Sequence, residues 1–286
     1  MIDYQAPSGS PIAGGGLSSS LELERAIHER IEEFDKNYSR FRHDGWIERL
    51  ATQAGTYAVP ADGQPLLALY EKVYRLTDGA VTPLIGQVLV DAGYDAEYSL
   101  VQKRLLRQPL RWEDVIDYDG GWRLTMKQPA ILDFGAAGKG YLVDLIAELL
   151  ISFQVTSFTV DAGGDMVQRS ITNELLRVGL EHPEDTAQVI GVVELGNRSL
   201  CGSAGNRRKW GEYHHIVDPR TLTSPRNILA VWVLAETTML ADALTTCLFF
   251  VEPEVMLAEF RFDYLIMYAD QMVVQSPGFA AELFTG

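Results

Sequence analysis

The chain has 286 residues, 47% of them hydrophobic and 22% charged, with a formal net charge of -15. That much apolar material can bury a large core and excludes a disordered or fibrous chain. The acidic balance excludes binding through a nucleic-acid backbone, which needs a basic surface, but admits a phosphorylated small molecule whose charge a divalent cation neutralises locally.

Residues 1–18 are rich in Gly, Ser and Pro and read as a flexible N-terminal segment, leaving a single domain over 19–286. A charged n-region followed by an apolar h-region is missing, and no run approaches the roughly 20 apolar residues of a membrane span. The expectation is therefore a cytoplasmic protein, or one whose leader has been removed. Leu21, Leu23, Ile27, Ile31 and Phe34 predict a helix over Ser20–Asp35, followed by a loop carrying Asp35, Ser39 and Arg42. Leu66–Leu76 reads as a second helix and Leu84–Ala92 as a short apolar segment, separated by the Thr82-Pro83 turn. Trp112–Met126 reads as a hairpin around Asp119-Gly120-Gly121. Leu142, Leu145, Ile146, Leu149 and Leu150 then form one face of a central helix. Beyond it the chain is strand-rich, with expected strands at Ser157–Val160, Leu175–Leu180, Val189–Leu195, Tyr213–Val217 and Leu229–Leu234. Helices are expected at Met239–Phe250 and Glu254–Phe260, then strands at Tyr264–Tyr268 and Met272–Gln275. Helices and hairpins mixed in this way predict an α+β protein. Cys201 and Cys247 stand in separate segments without metal-type spacing, so both are expected to be reduced.

The stretch Ile131–Asp144 carries the first chemical signal. An apolar lead-in meets a turn with Gly135, Gly138 and Gly140, one lysine, Lys139, and the start of the central helix. Such glycines allow φ > 0, unpaired N–H groups at a helix start attract anions, and Lys139 adds a positive charge. The same residues also fit an ordinary strand-to-helix turn with a solvated lysine. A Walker loop is excluded because two residues rather than four separate Gly135 from Gly138 and glycine follows the lysine; a Rossmann fingerprint fails on glycine spacing. Three further segments combine small residues with polar groups: Ser157–Asp165 with Asp161, Gly163, Gly164 and Asp165, Cys201–Asn206 with Ser203, and His214–Thr221 with His215, Asp218 and Arg220. A fourth, Ala241–Thr246, opens an apolar helix and sets Asp242 four residues before Thr246, one turn apart on one face. A carboxylate beside a hydroxyl suits a hard cation such as Mg²⁺, although such pairs also serve as plain helix-end and back-bonding residues. His215 is the natural general acid or base, and on a strand His214 would face the opposite way.

Together, Asp78–Leu84, Asp133–Asp144, Asp161–Asp165, His215–Thr221 and Ala241–Thr246 resemble the ApbE family, the FAD:protein FMN transferases, in order and over roughly two thirds of the chain. The resemblance implies an ApbE-like α+β fold with mixed or antiparallel sheets flanked by helices, in two lobes around a central cleft. It implies that FMN passes from FAD to a Thr or Ser hydroxyl of an acceptor flavoprotein, with AMP as leaving group. Mg²⁺, with Mn²⁺ as alternative, would be held by Asp242, Thr246 and the main-chain carbonyl of Gly138. Catalysis would fall to His215 and Lys139. FAD would contact Thr82, Asp133, Gly135, Gly138, Lys139, Gly140, Asp144, Asp161, Gly163, Gly164, Ser203 and Asp218. Two other activities fit the same pocket: an FAD carrier without catalysis, and an FAD pyrophosphatase yielding FMN and AMP. Where many relatives carry Thr-Ser-Gly-Asp-Tyr, this chain has Gly202-Ser203-Ala204-Gly205-Asn206, and many bacterial relatives look like exported lipoproteins whose N-terminal pattern is not seen here.

Overall fold

The computed structural model describes residues 3–5, 17–206 and 208–284. Most of the expected flexible segment at 1–18 lies outside the described residues. Its described parts are ordered: a strand β1 at Asp3–Gln5, and the first residues of helix α1, Leu17–Tyr38. The helix thus runs beyond its predicted ends.

Helices α2 (Trp46–Thr52) and α3 (Gly63–Leu76) flank strand β2 (Gly55–Ala58), and a 3-10 turn at Pro83–Ile85 leads into α4 (Gly86–Ala92). The expected hairpin is present as β3 (Ile116–Tyr118) and β4 (Arg123–Met126), but its first residues instead form a helical turn, α5 (Trp112–Val115). With β2 it makes a three-stranded sheet in the order β2-β4-β3.

The glycine-rich turn opens into α6 (Gly138–Ser152), followed by β5 (Phe158–Asp161), β6 (Met166–Arg169), β7 (Leu176–His182), β8 (Asp185–Leu195) and β9 (Ser199–Ala204). Next come the two-residue strands β10 (Lys209–Trp210) and β11 (Tyr213–His214), then β12 (Ile228–Ala235), α7 (Thr238–Cys247), α8 (Pro253–Leu257), β13 (Asp263–Tyr268), β14 (Val273–Gln275) and β15 (Glu282–Leu283). Seven strands pair in the order β1-β5-β6-β9-β12-β13-β14, every pair antiparallel. A smaller sheet runs β15-β8-β7.

Alternation along β12 explains the layering, because successive side chains leave opposite faces of a strand. Val231, Val233 and Ala235 join the core beneath the helices, whereas Ala230, Trp232 and Leu234 pack with Leu180, Val193 and Leu195 of the smaller sheet. A strand buried on both faces reads as a continuous apolar run, which is how Leu229–Leu234 was legible. On the helical face α7 lies over β9 and β12, and α6 packs on α7. Two sequence expectations need correction here. Cys201–Ala204, read as part of a loop, is the inner strand β9, paired with β12 from Leu200↔Leu234 to Ala204↔Ala230. Tyr213–Val217, read as one strand, keeps only Tyr213–His214, because β11 pairs with a two-residue partner and the chain then turns toward Asp218. Among the described residues no helix is long and apolar enough to cross a membrane.

Candidate functional site

A cavity of about 390 Å³ opens on the helical face of the main sheet. Thr82, Asp133, Gly135, Lys139, Gly163, Ser203, His215, Asp242 and Thr246 line it, so the chosen segments do converge. Gly138, Gly140, Asp144, Asp161, Gly164 and Asp218 are not among its lining residues, and each has a structural role or position instead. Asp144 caps α7, its two oxygens accepting the N–H groups of Thr238 and Met239 at 2.8 Å each. Asp161 closes its own turn by accepting from the Gly164 N–H at 2.7 Å. Asp218 accepts from the backbone and the guanidinium of Arg220 at 2.8 to 2.9 Å. Gly138 and Gly140 are buried in the first turn of α6.

The glycine-rich turn differs from a phosphate cradle. Gly135, Gly138 and Gly140 do not adopt positive φ; the left-handed glycines near the site are Gly163 (φ 73) and Gly164 (φ 101). Most N–H groups of the turn are already used. Gly135 donates to Asp133 Oδ1 at 2.7 Å, Ala136 to the Tyr70 hydroxyl at 3.1 Å, Gly138 to the Phe134 carbonyl at 2.7 Å and Gly140 to Asp242 Oδ2 at 2.9 Å. Glycine is needed at 140 for closeness rather than for φ: a Cβ there would stand 2.2 Å from the Thr238 carbonyl oxygen and 2.8 Å from Asp242 Cβ. The turn is therefore a clamp that brings α6 onto α7.

Two buried carboxylates meet the Lys139 ammonium at this end of the cavity. Lys139 pairs with Asp165 and lies 3.9 Å from Asp242 Oδ1, and both carboxylates are buried, at 1% and 3% side-chain exposure. Two buried carboxylates thus share one ammonium group. Burial pushes the Asp242 carboxyl above the ordinary carboxylate range, opposed by Lys139, the Gly140 N–H and Arg208. Burying carboxylates is costly, and Lys139 and Arg208 offset that cost only in part, since burial still leaves the Asp242 carboxyl raised. Among the described residues no three His, Cys, Asp or Glu side chains cluster as metal ligands. Thr246 lines the cavity one turn after Asp242; its neighbour Thr245 faces inward, bonded to the Asp242 carbonyl at 2.7 Å and to Ser203 at 2.8 Å.

The two histidines face different surroundings, although only His214 lies in a strand. His214 is structural: its Nε2 pairs with the Pro225 carbonyl at 3.0 Å, and its Nδ1 accepts the Ile216 N–H at 3.3 Å. His215 lines the cavity, with a buried Nδ1 that has no hydrogen-bond partner. Burial lowers its pKa to about 3, helped by Arg208, His214 and Lys139, so the ring is neutral at physiological pH. Thr82 starts the 3-10 turn, accepting the Leu84 N–H at 3.2 Å, and also faces the cavity.

Several lining residues escaped the sequence analysis. Phe41 and Tyr94 form an aromatic wall, and Arg208 adds a charge beside His215, whose N–H donates to the Arg208 carbonyl at 3.1 Å. No local pattern marks these positions, because they come from loops joined only in the fold. Asp165, noted as a turn residue, proves to be the main partner of Lys139.

The model of the ApbE family matches residues 4–264 of the chain. The FAD:protein FMN transferase of Vibrio cholerae is 25% identical over 247 residues, covering 81% of this chain and 74% of that protein. The FAD:protein FMN transferase of Treponema pallidum is 28% identical over 295 residues, covering 91% and 81%. The crystal structure of the ApbE protein of Thermotoga maritima superposes with a TM-score of 0.79 at 23% identity, covering 96% of this chain and 93% of that one. The antiparallel sheets flanked by helices agree with that fold.

Proposed function

The chain belongs to the ApbE family, and on that premise we propose that it is a transferase that moves FMN from FAD to a Thr or Ser hydroxyl of an acceptor flavoprotein, releasing AMP. The observation that carries the reading is the pair of buried carboxylates, Asp165 and Asp242, set against the single ammonium of Lys139 at the wall of the cavity. A substrate diphosphate with a divalent cation would balance that corner, and the donor set fits Mg²⁺ better than a cation that needs a full side-chain cage. Asp242, Thr246 and the Gly138 carbonyl would hold the ion, which supplies charge neutralisation on the diphosphate.

The chain's own residues then have defined tasks. Lys139 can exchange its contact with Asp165 for a phosphate oxygen. Phosphoryl-group transfer depends mostly on positioning and charge stabilisation, which rigid carboxylates on α7 and a clamped turn provide. The acceptor oxygen bonds to the FMN-side phosphorus, the bond from that phosphorus to the bridging oxygen breaks, and AMP departs with the bridging oxygen. His215, neutral and without a partner at Nδ1, takes the hydroxyl proton. Its low basicity rises when anionic phosphate offsets Arg208 and Lys139.

Incubation with FAD and Mg²⁺ or Mn²⁺, with and without a flavoprotein acceptor, tests the proposal. Covalent flavin on the acceptor with an equal amount of AMP supports it. AMP and FMN released without acceptor labelling would mark a pyrophosphatase, and tight FAD binding without AMP a carrier.

A further inference from the structure

One buried guanidinium stands behind the cavity without lining it. The Arg40 side chain is 2% exposed, and its Nε donates to Asp133 Oδ2 at 2.5 Å while Nη2 donates to the Tyr94 carbonyl at 2.7 Å. Its Cζ lies 4.2 Å from the centroid of the Phe41 ring and 4.9 Å from that of Tyr94. Phe41, Tyr94 and Asp133 all line the cavity. They come from three segments: the loop after α1, the loop after α4, and the lead-in to the glycine-rich turn. Asp133 in turn accepts the Gly135 N–H, so the orientation of Arg40 reaches the turn that clamps α6.

A planar fork of donors with two open faces can satisfy a carboxylate, a carbonyl and two rings at once; an ammonium group cannot. A buried charge costs stability unless its contacts are well made, and here each contact ends on a residue of the cavity wall. We infer that Arg40 is a positioning residue: it sets the Phe41–Tyr94 aromatic wall in register with Asp133, so that the cavity is shaped for the planar ring system of FAD before the substrate enters. The inference rests on the flavin-transferase reading.

The test compares wild type with Arg40→Lys, Arg40→Met and the double variant Arg40→Met/Asp133→Asn. Melting temperature, the perturbation of the flavin absorbance band on FAD binding, KM for FAD and kcat are measured in each. Arg40→Lys keeps the charge and is expected to stay folded, to raise KM for FAD at least about tenfold as the aromatic wall loses its register with Asp133, to leave kcat nearly unchanged, and to lose the band perturbation. Arg40→Met strands the Asp133 carboxylate and lowers the melting temperature; the double variant regains it without regaining FAD binding. Unchanged FAD binding and spectrum in Arg40→Lys would overturn the inference. Recovery of binding together with stability in the double variant would do so too, since it would reduce Arg40 to a counter-ion. If wild type itself fails to bind FAD, the functional reading falls and this inference falls with it. If wild type transfers FMN and Arg40→Lys matches it, the inference alone fails.

Discussion

The main-chain N–H of Gly140 donates to Asp242 Oδ2 at 2.9 Å, across 102 positions of sequence. The first turn of α6 and α7 are thereby joined at the residue that the metal reading assigns to cation binding. Gly140→Ala would drive a methyl against the Thr238 carbonyl and Asp242 Cβ. We expect a loss of about 1–3 kcal/mol in stability from this overpacking, with a parallel fall in Mg²⁺ affinity. Denaturant unfolding and metal titration would check it; a variant as stable as wild type contradicts the clamp.

Asp242→Asn retains shape and an acceptor for the Gly140 N–H but removes the negative charge. Turnover should fall at least about a hundredfold, the loss of several kcal/mol of charge stabilisation, while the fold survives. Full activity in this variant, or in excess chelator, sinks the metal assignment.

Lys139→Ala is expected to act in two directions. Without its ammonium, Asp165 and Asp242 lose their shared partner, so Mg²⁺ in the absence of FAD should bind more tightly. FAD should bind more weakly, by about 1.5 to 3 kcal/mol for one charge-assisted contact. Calorimetric titrations of each ligand separate the effects. Equal FAD affinity in the variant and wild type would mean that Lys139 only neutralises the two acids.

His215→Ala should lose roughly 10²- to 10⁴-fold in transfer rate with little change in FAD affinity, because a general base acts in the transition state. His214→Ala should instead cost about 1 to 3 kcal/mol of stability, since it leaves the Pro225 carbonyl and the Ile216 N–H without their buried partner. Rates and unfolding curves for both variants decide the assignment; the reverse pattern would transfer the catalytic role to His214.

His215 makes one contribution to the pH dependence of stability. Its folded pKa, about 3, lies below the ordinary 6.5, so between those values the unfolded chain binds more protons than the folded one. The stability that His215 contributes is therefore fully present above pH 6.5 and is lost as pH falls toward 3. His215→Gln should flatten that slope in unfolding experiments at pH 4 to 7. An identical slope in the variant would show that the ring is not held neutral by burial.

What the sequence determined by itself was the set of strongly periodic elements. The heart of α1, α3 and α6 and the strands β12 and β13 were legible because each buries a face whose period the residues carry locally. The convergence of Lys139, His215, Asp242 and Thr246 was reachable only through the resemblance, since no single segment fixes where another lies. Tertiary structure alone decided the rest. Cys201–Ala204 looked like a loop because its small residues carry no strand signal, yet Gly202 sits where a Cβ would stand 2.9 Å from the Trp232 ring, and Ser203 pairs with Thr245 on α7. Likewise the N–H groups of the glycine-rich turn seemed open to an anion, but Asp133, Tyr70 and Asp242 take those of Gly135, Ala136 and Gly140. Arg40, Asp165 and Arg208 gained their places at the site from contacts between distant segments. Periodicity records which face of an element is buried; it does not record which partner, tens of residues away, buries it or takes its hydrogen bonds.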